Sequence, residues 1–216
     1  MTIFSHLSPE YLELPVTHDN GAYFYSKELY ERVIPFIKTK RPWCLINVKN
    51  QCEDNAIVFI HNNKNPERYY WLEPYKNLIL ICSQIKTLNA MIEMFPQFHV
   101  VYLPLSIDVD YVKQFKVKRK SKNTAYFGRL EKIPEDIAKD DTIDKIYGLD
   151  REELLKTLAK YKNVYAIGRC AIEAKVLGCK VKSHEGEYVN TSFDVIDNKE
   201  VIPELQRLIN EIDGVK

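Results

Sequence analysis

Between Tyr165 and Val181 the chain places Gly168, Glu173 and Gly178 at intervals that suit the holding of a phosphate. The segment Tyr165-Ala-Ile-Gly-Arg-Cys-Ala-Ile-Glu-Ala-Lys-Val-Leu-Gly-Cys-Lys-Val181 reads as strand, glycine turn, short helix, glycine stop and second strand. Gly168 lets the backbone turn sharply, and Arg169, Cys170, Ala171 and Ile172 then present free N–H groups at a helix N-terminus. Glu173, one turn further in, is placed to accept hydrogen bonds from ribose hydroxyls, so a nucleotide diphosphate fits the pattern. A plain βαβ unit, with Gly168 only a turn and Gly178 only a C-cap, accounts for the same residues.

Two further pairs have the chemistry of a general base. His18-Asp19 lies in the loop expected after a first strand, and His61-Asn62 ends the apolar run Ile57 to Ile60. Open α/β sheets place ligands at the carboxyl ends of strands, where an imidazole or carboxylate can take a proton from an attacking hydroxyl; surface or structural roles suit loop histidines equally. Asp108-Val-Asp110 has the Asp-x-Asp form of a divalent-metal site. It follows Pro104 and precedes the helix-like Tyr111 to Phe115, so N-capping by Asp108 or Asp110 is the preferred reading and no metal is expected. Lys113 to Lys122 carries six positive side chains in ten residues. That is either a solvated linker or a segment able to contact the phosphates of DNA. Tyr69-Tyr70-Trp71 reads as a stacking surface or as part of a core.

The elements that must position these residues form two α/β series. In the first, a strand ends near Val16, a helix covers Ala22 to Lys38, and short apolar runs follow at Trp43–Val48, Ala56–Ile60, Leu78–Cys82 and His99–Leu103. Ser83 to Phe95 between the last two is amphipathic, with Ser83 as N-cap. The second series has strands at Thr124–Phe127, Lys145–Tyr147 and Asn163–Ile167, and helices over Arg151–Tyr161 and Lys199–Ile212. Pro203 is expected in the first turn of the last helix.

Composition sets the outer bounds. A chain of 216 residues, 45% hydrophobic and 28% charged with net charge +1, suits a soluble globular protein of one or two domains and not a polyanion-coating one. Five cysteines without a Cys-x-x-Cys pair point to free thiols in a reducing cytoplasm and not to zinc. No signal peptide and no membrane span is expected.

In order along the chain, the landmarks resemble those of the GT-B glycosyltransferases. That family's donor loop has a glycine turn, Glu-Ala, a few small residues, then Gly and a strand, matched here by Gly168, Glu173-Ala174, Gly178 and Val181. Pro15-Val-Thr-His-Asp-Asn-Gly21-Ala22 resembles the glycine loop after the first strand, and Ile79-Leu-Ile-Cys-Ser83 a later strand ending in serine. Tyr102-Leu-Pro-Leu-Ser-Ile-Asp108 resembles the segment leading into the hinge. Tyr126-Phe-Gly128-Arg129-Leu130 resembles the Gly-Arg-Leu that opens the second domain, and Tyr147-Gly148 a strand-end glycine within it. There are departures: Tyr165 stands where many retaining members have a second glutamate, and Pro134 where the family has lysine, with Lys132 the nearest substitute.

The resemblance implies two Rossmann-like domains with parallel sheets and a cleft between them. Their expected extents are 1–104 on the acceptor side, with Gly21 and Asn62 there, a hinge over 105–122, and 123–216 for the nucleotide sugar. It implies transfer of a sugar from a nucleotide-diphosphate sugar, UDP among the nucleotides, to a glycan or a modified DNA base. Neither a metal nor another cofactor is required. Donor contacts would come from Gly128, Arg129, Lys132, Gly168, Arg169, Cys170, Ala171, Ile172 and Glu173, and the base from His18, Asp19 or His61. The short chain suggests a miniature, phage-encoded member, with too little sequence after Val201 for the last helix to return to the first domain. The same brevity, with Tyr165 and Pro134, also suits a binding module without turnover; a nucleotide-sugar epimerase is a third reading.

Overall fold

The computed structural model describes residues 3–4, 21–45, 52–60, 66–128, 133–182 and 194–215. The chain divides into two compact units: Met1–Leu14, Ser26–Leu105 and Lys199–Lys216 in one, Pro15–Tyr25 and Ser106–Asn198 in the other.

The first unit is built on a parallel sheet of β1 (Ile3–Phe4), β2 (Trp43–Cys44), β3 (Ile57–Ile60), β4 (Ile79–Cys82) and β5 (His99–Tyr102), in that spatial order. The runs Ile-Val-Phe-Ile and Ile-Leu-Ile-Cys are buried at every position, as expected of strands covered on both faces. Helix α1 (Gly21–Arg32) is followed by a 3-10 turn at Ile34–Phe36, so the expected single helix to Lys38 breaks where Pro35 enters. In α2 (Ile85–Met94) the N-cap is Gln84, with no side-chain capping bond, and not the expected Ser83. Tyr69-Tyr70-Trp71 falls in a 3-10 stretch, Pro66–Leu72; Tyr69 is core, Tyr70 is exposed, and Trp71 packs edge-on against Tyr75 at 6.2 Å.

Arg41 organises one edge of this unit. Its Nη1 donates to the carbonyls of Asn55 (3.0 Å) and Asn77 (2.8 Å), two residues with φ of +64° and +52° ahead of β3 and β4. Its Nε donates to Asp213 Oδ1 at 2.8 Å, near the end of the last helix. That helix, counted with the second domain in the sequence reading, groups with the first unit from Lys199 onward. Val201, Leu205 and Ile209 are its buried stripe, and the Gln206 amide exchanges hydrogen bonds with the backbone of Lys38. Pro203 lies inside the helix and not in its first turn.

The second unit has a parallel sheet of β6 (Lys122–Phe127), β7 (Ile143–Ile146), β8 (Tyr161–Tyr165) and β9 (Lys180–Lys182), in the order β7-β6-β8-β9. Asp108 caps α3 (Val109–Lys113), accepting from the Tyr111 N–H at 2.9 Å, which is the N-cap role expected of Asp-Val-Asp. A short helix that the sequence did not announce, α4 (Glu135–Lys139), links β6 to β7. Asp150 caps α5 (Arg151–Leu158), whose Leu154, Leu155 and Leu158 are buried. α6 (Gly168–Val176) ends in a left-handed Gly178, φ +78°. There the Cys179 N–H reaches the Ala174 carbonyl and the Gly178 N–H that of Lys175, both at 2.9 Å, the paired bonds of a Schellman stop. The last helix is α7 (Asn198–Asp213).

Candidate functional site

Strand order decides where each unit can open. In the first unit the described strands lie in chain order, so right-handed crossovers carry successive connections over one face. In the second, β6 is followed by β7 on one side and by β8 and β9 on the other. By the right-handed crossover rule, connections from β6 and from β8 take opposite faces, and in open α/β sheets such a reversal is where the ligand crevice lies, at the carboxyl ends of the strands. Tyr126 pairs with Tyr165 at that edge, and Gly128 and Gly168 follow directly.

The two glycines serve different needs. Gly168 has φ +55°, a left-handed turn that lets the chain leave β8 and enter α6 at once. Gly128 has no such φ; a Cβ there would come 2.8 Å from the Tyr126 hydroxyl. Beyond the turn, Gly168 and Cys170 are part-buried, while Arg169, Ala171, Ile172 and Glu173 are buried. The N-cap residue, Ile167, makes no side-chain capping bond, and the first N–H groups of a helix have no partner within it.

Glu173 is 1% exposed, and its Oε1 accepts from Arg169 Nε at 2.7 Å and from Arg151 Nη1 at 2.6 Å. The carboxylate thus holds two guanidiniums at the amino end of α6, one from its own helix and one from the first residue of α5. Any ribose contact by Glu173 falls to its other oxygen. The Cys170 thiol beside them is pushed up to about 12, first by burial and then by the Glu173 carboxylate, against the two arginines.

The remaining expected residues stand apart. His18, Asp19, His61, Asn62, Arg129 and Lys132 lie outside the described residues. Gly21 is the first residue of α1 and not part of a loop before it. The basic segment enters the sheet at the amino end of β6, the edge opposite the crevice, and two of its charges are built into the fold. Lys120 Nζ donates at 2.7 Å to the carbonyls of Ala159 and Leu177, at the ends of α5 and α6. Lys122 Nζ donates to Asp144 on β7 and Tyr161 on β8 at 3.0 and 2.9 Å. Tyr165, at the position of the second glutamate, lies under Lys182 Nζ at 5.1 Å from its ring centre.

Sequence reasoning missed Arg151. Its signal was a cation at the first position of a helix amid Asp150, Glu152 and Glu153, against the preference of a helix N-terminus for negative charge.

The described residues define an α/β protein with two parallel sheets, the second reversing its strand order beside a glycine turn. No family model matches the chain, and no curated protein matches it. Among solved structures it is similar to a chain in the crystal structure of accessory secretory protein 1, 2 and 3 in Streptococcus pneumoniae, at 11% identity and a TM-score of 0.44. The match covers 90% of this chain and 57% of that one, and a likeness at this level carries no functional argument.

Proposed function

We propose that the second unit binds the diphosphate of a nucleotide sugar at the amino end of α6 and that the protein transfers the sugar to an acceptor. The observation that carries this reading is the reversal of strand order between β6 and β8, with Gly128 and Gly168 leaving the sheet on either side of it. Ligands of open α/β sheets sit at such a point, and a glycine turn into a helix N-terminus suits a phosphate. Arg151 and Arg169, held on Glu173, supply the positive charge that a leaving nucleotide diphosphate needs as its bond to the sugar breaks. Glu173 acts first as the positioning residue of that pair. The resemblance of Gly128-Arg129 and Gly168 to Glu173 to a donor loop points to a nucleotide sugar over other phosphates.

Burial of Glu173 and the Lys182-covered Tyr165 favour a second reading, a nucleotide-binding module without turnover. Sugar nucleotides incubated with the protein, with glycan or DNA acceptors, separate the two by release of nucleoside diphosphate. Release with sugar transfer supports the enzyme; tight binding with neither hydrolysis nor transfer supports the module. No binding of any sugar nucleotide contradicts both.

A further inference from the structure

β5 closes the first sheet on one side: β4 pairs with its inner edge, and among the described residues no strand pairs with its outer edge. The His99 and Leu103 N–H groups donate to the Leu78 and Cys82 carbonyls, toward β4. Alternation along the strand then turns the N–H and C=O groups of Val100 and Tyr102 to the open side. Edge strands of soluble proteins are usually guarded by lysine, proline, a bulge or a covering element. β5 has none of the first three, since it reads His-Val-Val-Tyr and stays in unbroken register with Ile79–Cys82. A groove of about 370 Å³ lies against His99, Val100 and Val101 and is bordered by Ile92 and Phe95 of α2 and by Ile212 of α7; no lysine, arginine, aspartate or glutamate lines it. Tyr102 is 42% and Ile92 49% exposed.

We propose that two copies of this chain pair through β5, antiparallel about a two-fold axis at Val101, so that their first-unit sheets become one. With Val101 facing Val101 of the second copy, Val100 falls opposite Tyr102 and Tyr102 opposite Val100. These are the residues whose polar groups point outward, so each pair exchanges two backbone hydrogen bonds. A slip by one residue sets outward-facing groups against inward-facing ones, and a slip by two keeps only one such pair within β5. The side chains favour the same register. Val100 and Tyr102 pair with Leu80 and Cys82 of β4, both in the core cluster against which Val100 packs, so the two share that face of the sheet. Val100 therefore meets the ring of Tyr102 from the second copy, a β-branched and aromatic pair of the kind that stabilises sheets. A two-fold contact brings each border residue near its own counterpart, and an uncharged border creates no like-charge repulsion there. A charged peptide strand would find no counter-charge in the groove, which favours the second copy as its occupant.

Sedimentation velocity of the native full chain over about 1–100 μM, the range of a modest interface, tests the association. Oxidation of Val101→Cys with diamide, followed by peptide mapping, tests the register. The expected results are a monomer–dimer equilibrium and a covalent dimer joined at position 101 of both copies. A non-hydrogen-bonded antiparallel pair holds its Cα atoms about 4.5 Å apart, within disulfide reach. Tyr102→Lys, at an exposed position, should raise the dissociation constant at least about tenfold with circular dichroism unchanged. Should Val101→Cys fail to fold, the wild-type series and Tyr102→Lys decide. A monomer at every concentration, which would leave β5 to an extended segment of another protein, overturns the proposal. So does a dimer that Tyr102→Lys leaves intact, or a cross-link from position 101 only to the native cysteines.

Discussion

At Gly168 the backbone conformation itself is the requirement. With φ +55° and open space where a Cβ would go, Gly168→Ala meets no clash and costs only the left-handed backbone, about 1–2 kcal/mol. A urea midpoint shifted by that amount is the expected result. Glu173 is a different case, because two guanidiniums share one of its oxygens in a buried place. Glu173→Gln leaves them without their counter-charge and should cost about 3–5 kcal/mol in chemical denaturation; an unchanged midpoint would remove its positioning role. Gly168 and Gly178 were legible in the sequence because glycine turns and caps are local events, whereas Glu173, read there as a ribose contact, holds two arginines. The arginine pair was not, since Arg151 reaches Glu173 only after β7 and β8 are set on either side of β6.

Among the elements, the basic segment shows how a charge run changes meaning once strands are placed. Lys120 spans the carbonyl ends of α5 and α6, where a cation satisfies unpaired carbonyls and the helix dipoles. Lys120→Met should destabilise the protein by about 1–3 kcal/mol, read by thermal or urea unfolding. One residue pair further, Asp144, Lys122 and Tyr161 tie β7, β6 and β8 together. The Tyr161 hydroxyl, then Lys122, hold the Asp144 carboxyl below the usual carboxylate range. Its contribution to stability is therefore present above the ordinary value of about 4 and is lost as pH falls below it through the folded value. Asp144→Asn should flatten that part of the acid unfolding curve and leave the neutral region's slope unchanged. The central strands were read from their apolar runs, but the first strand, expected to end near Val16 outside the described residues, is β1 at Ile3–Phe4, and the helix expected to run to Tyr161 ends at Leu158, with Tyr161 opening β8. β7 and α4 were harder, since Ile143 and Ile146 flank the polar pair Asp144-Lys145 and α4 is little more than one turn long.

At the level of the whole molecule, the chain pairs a sequentially ordered parallel sheet with one that reverses, and only the reversal supplies a crevice by topology. α7 belongs mostly to the first unit, fastened by Arg41 to Asp213 and by Gln206 to Lys38. Asp213→Ala should loosen its end and increase hydrogen exchange there and at the turns of Asn55 and Asn77, which the same arginine joins. The sequence showed two α/β series but assigned this helix to the second, because periodicity reveals which face is buried and not what buries it. The most direct measurement is calorimetric titration of a nucleoside diphosphate and its parent nucleoside into wild type, Gly168→Ala and Arg151→Ala. Diphosphate-dependent binding that is weakened at least about tenfold in both variants, a loss of about 1.4 kcal/mol, is the predicted result; equal affinity in all three would contradict a phosphate site at the amino end of α6.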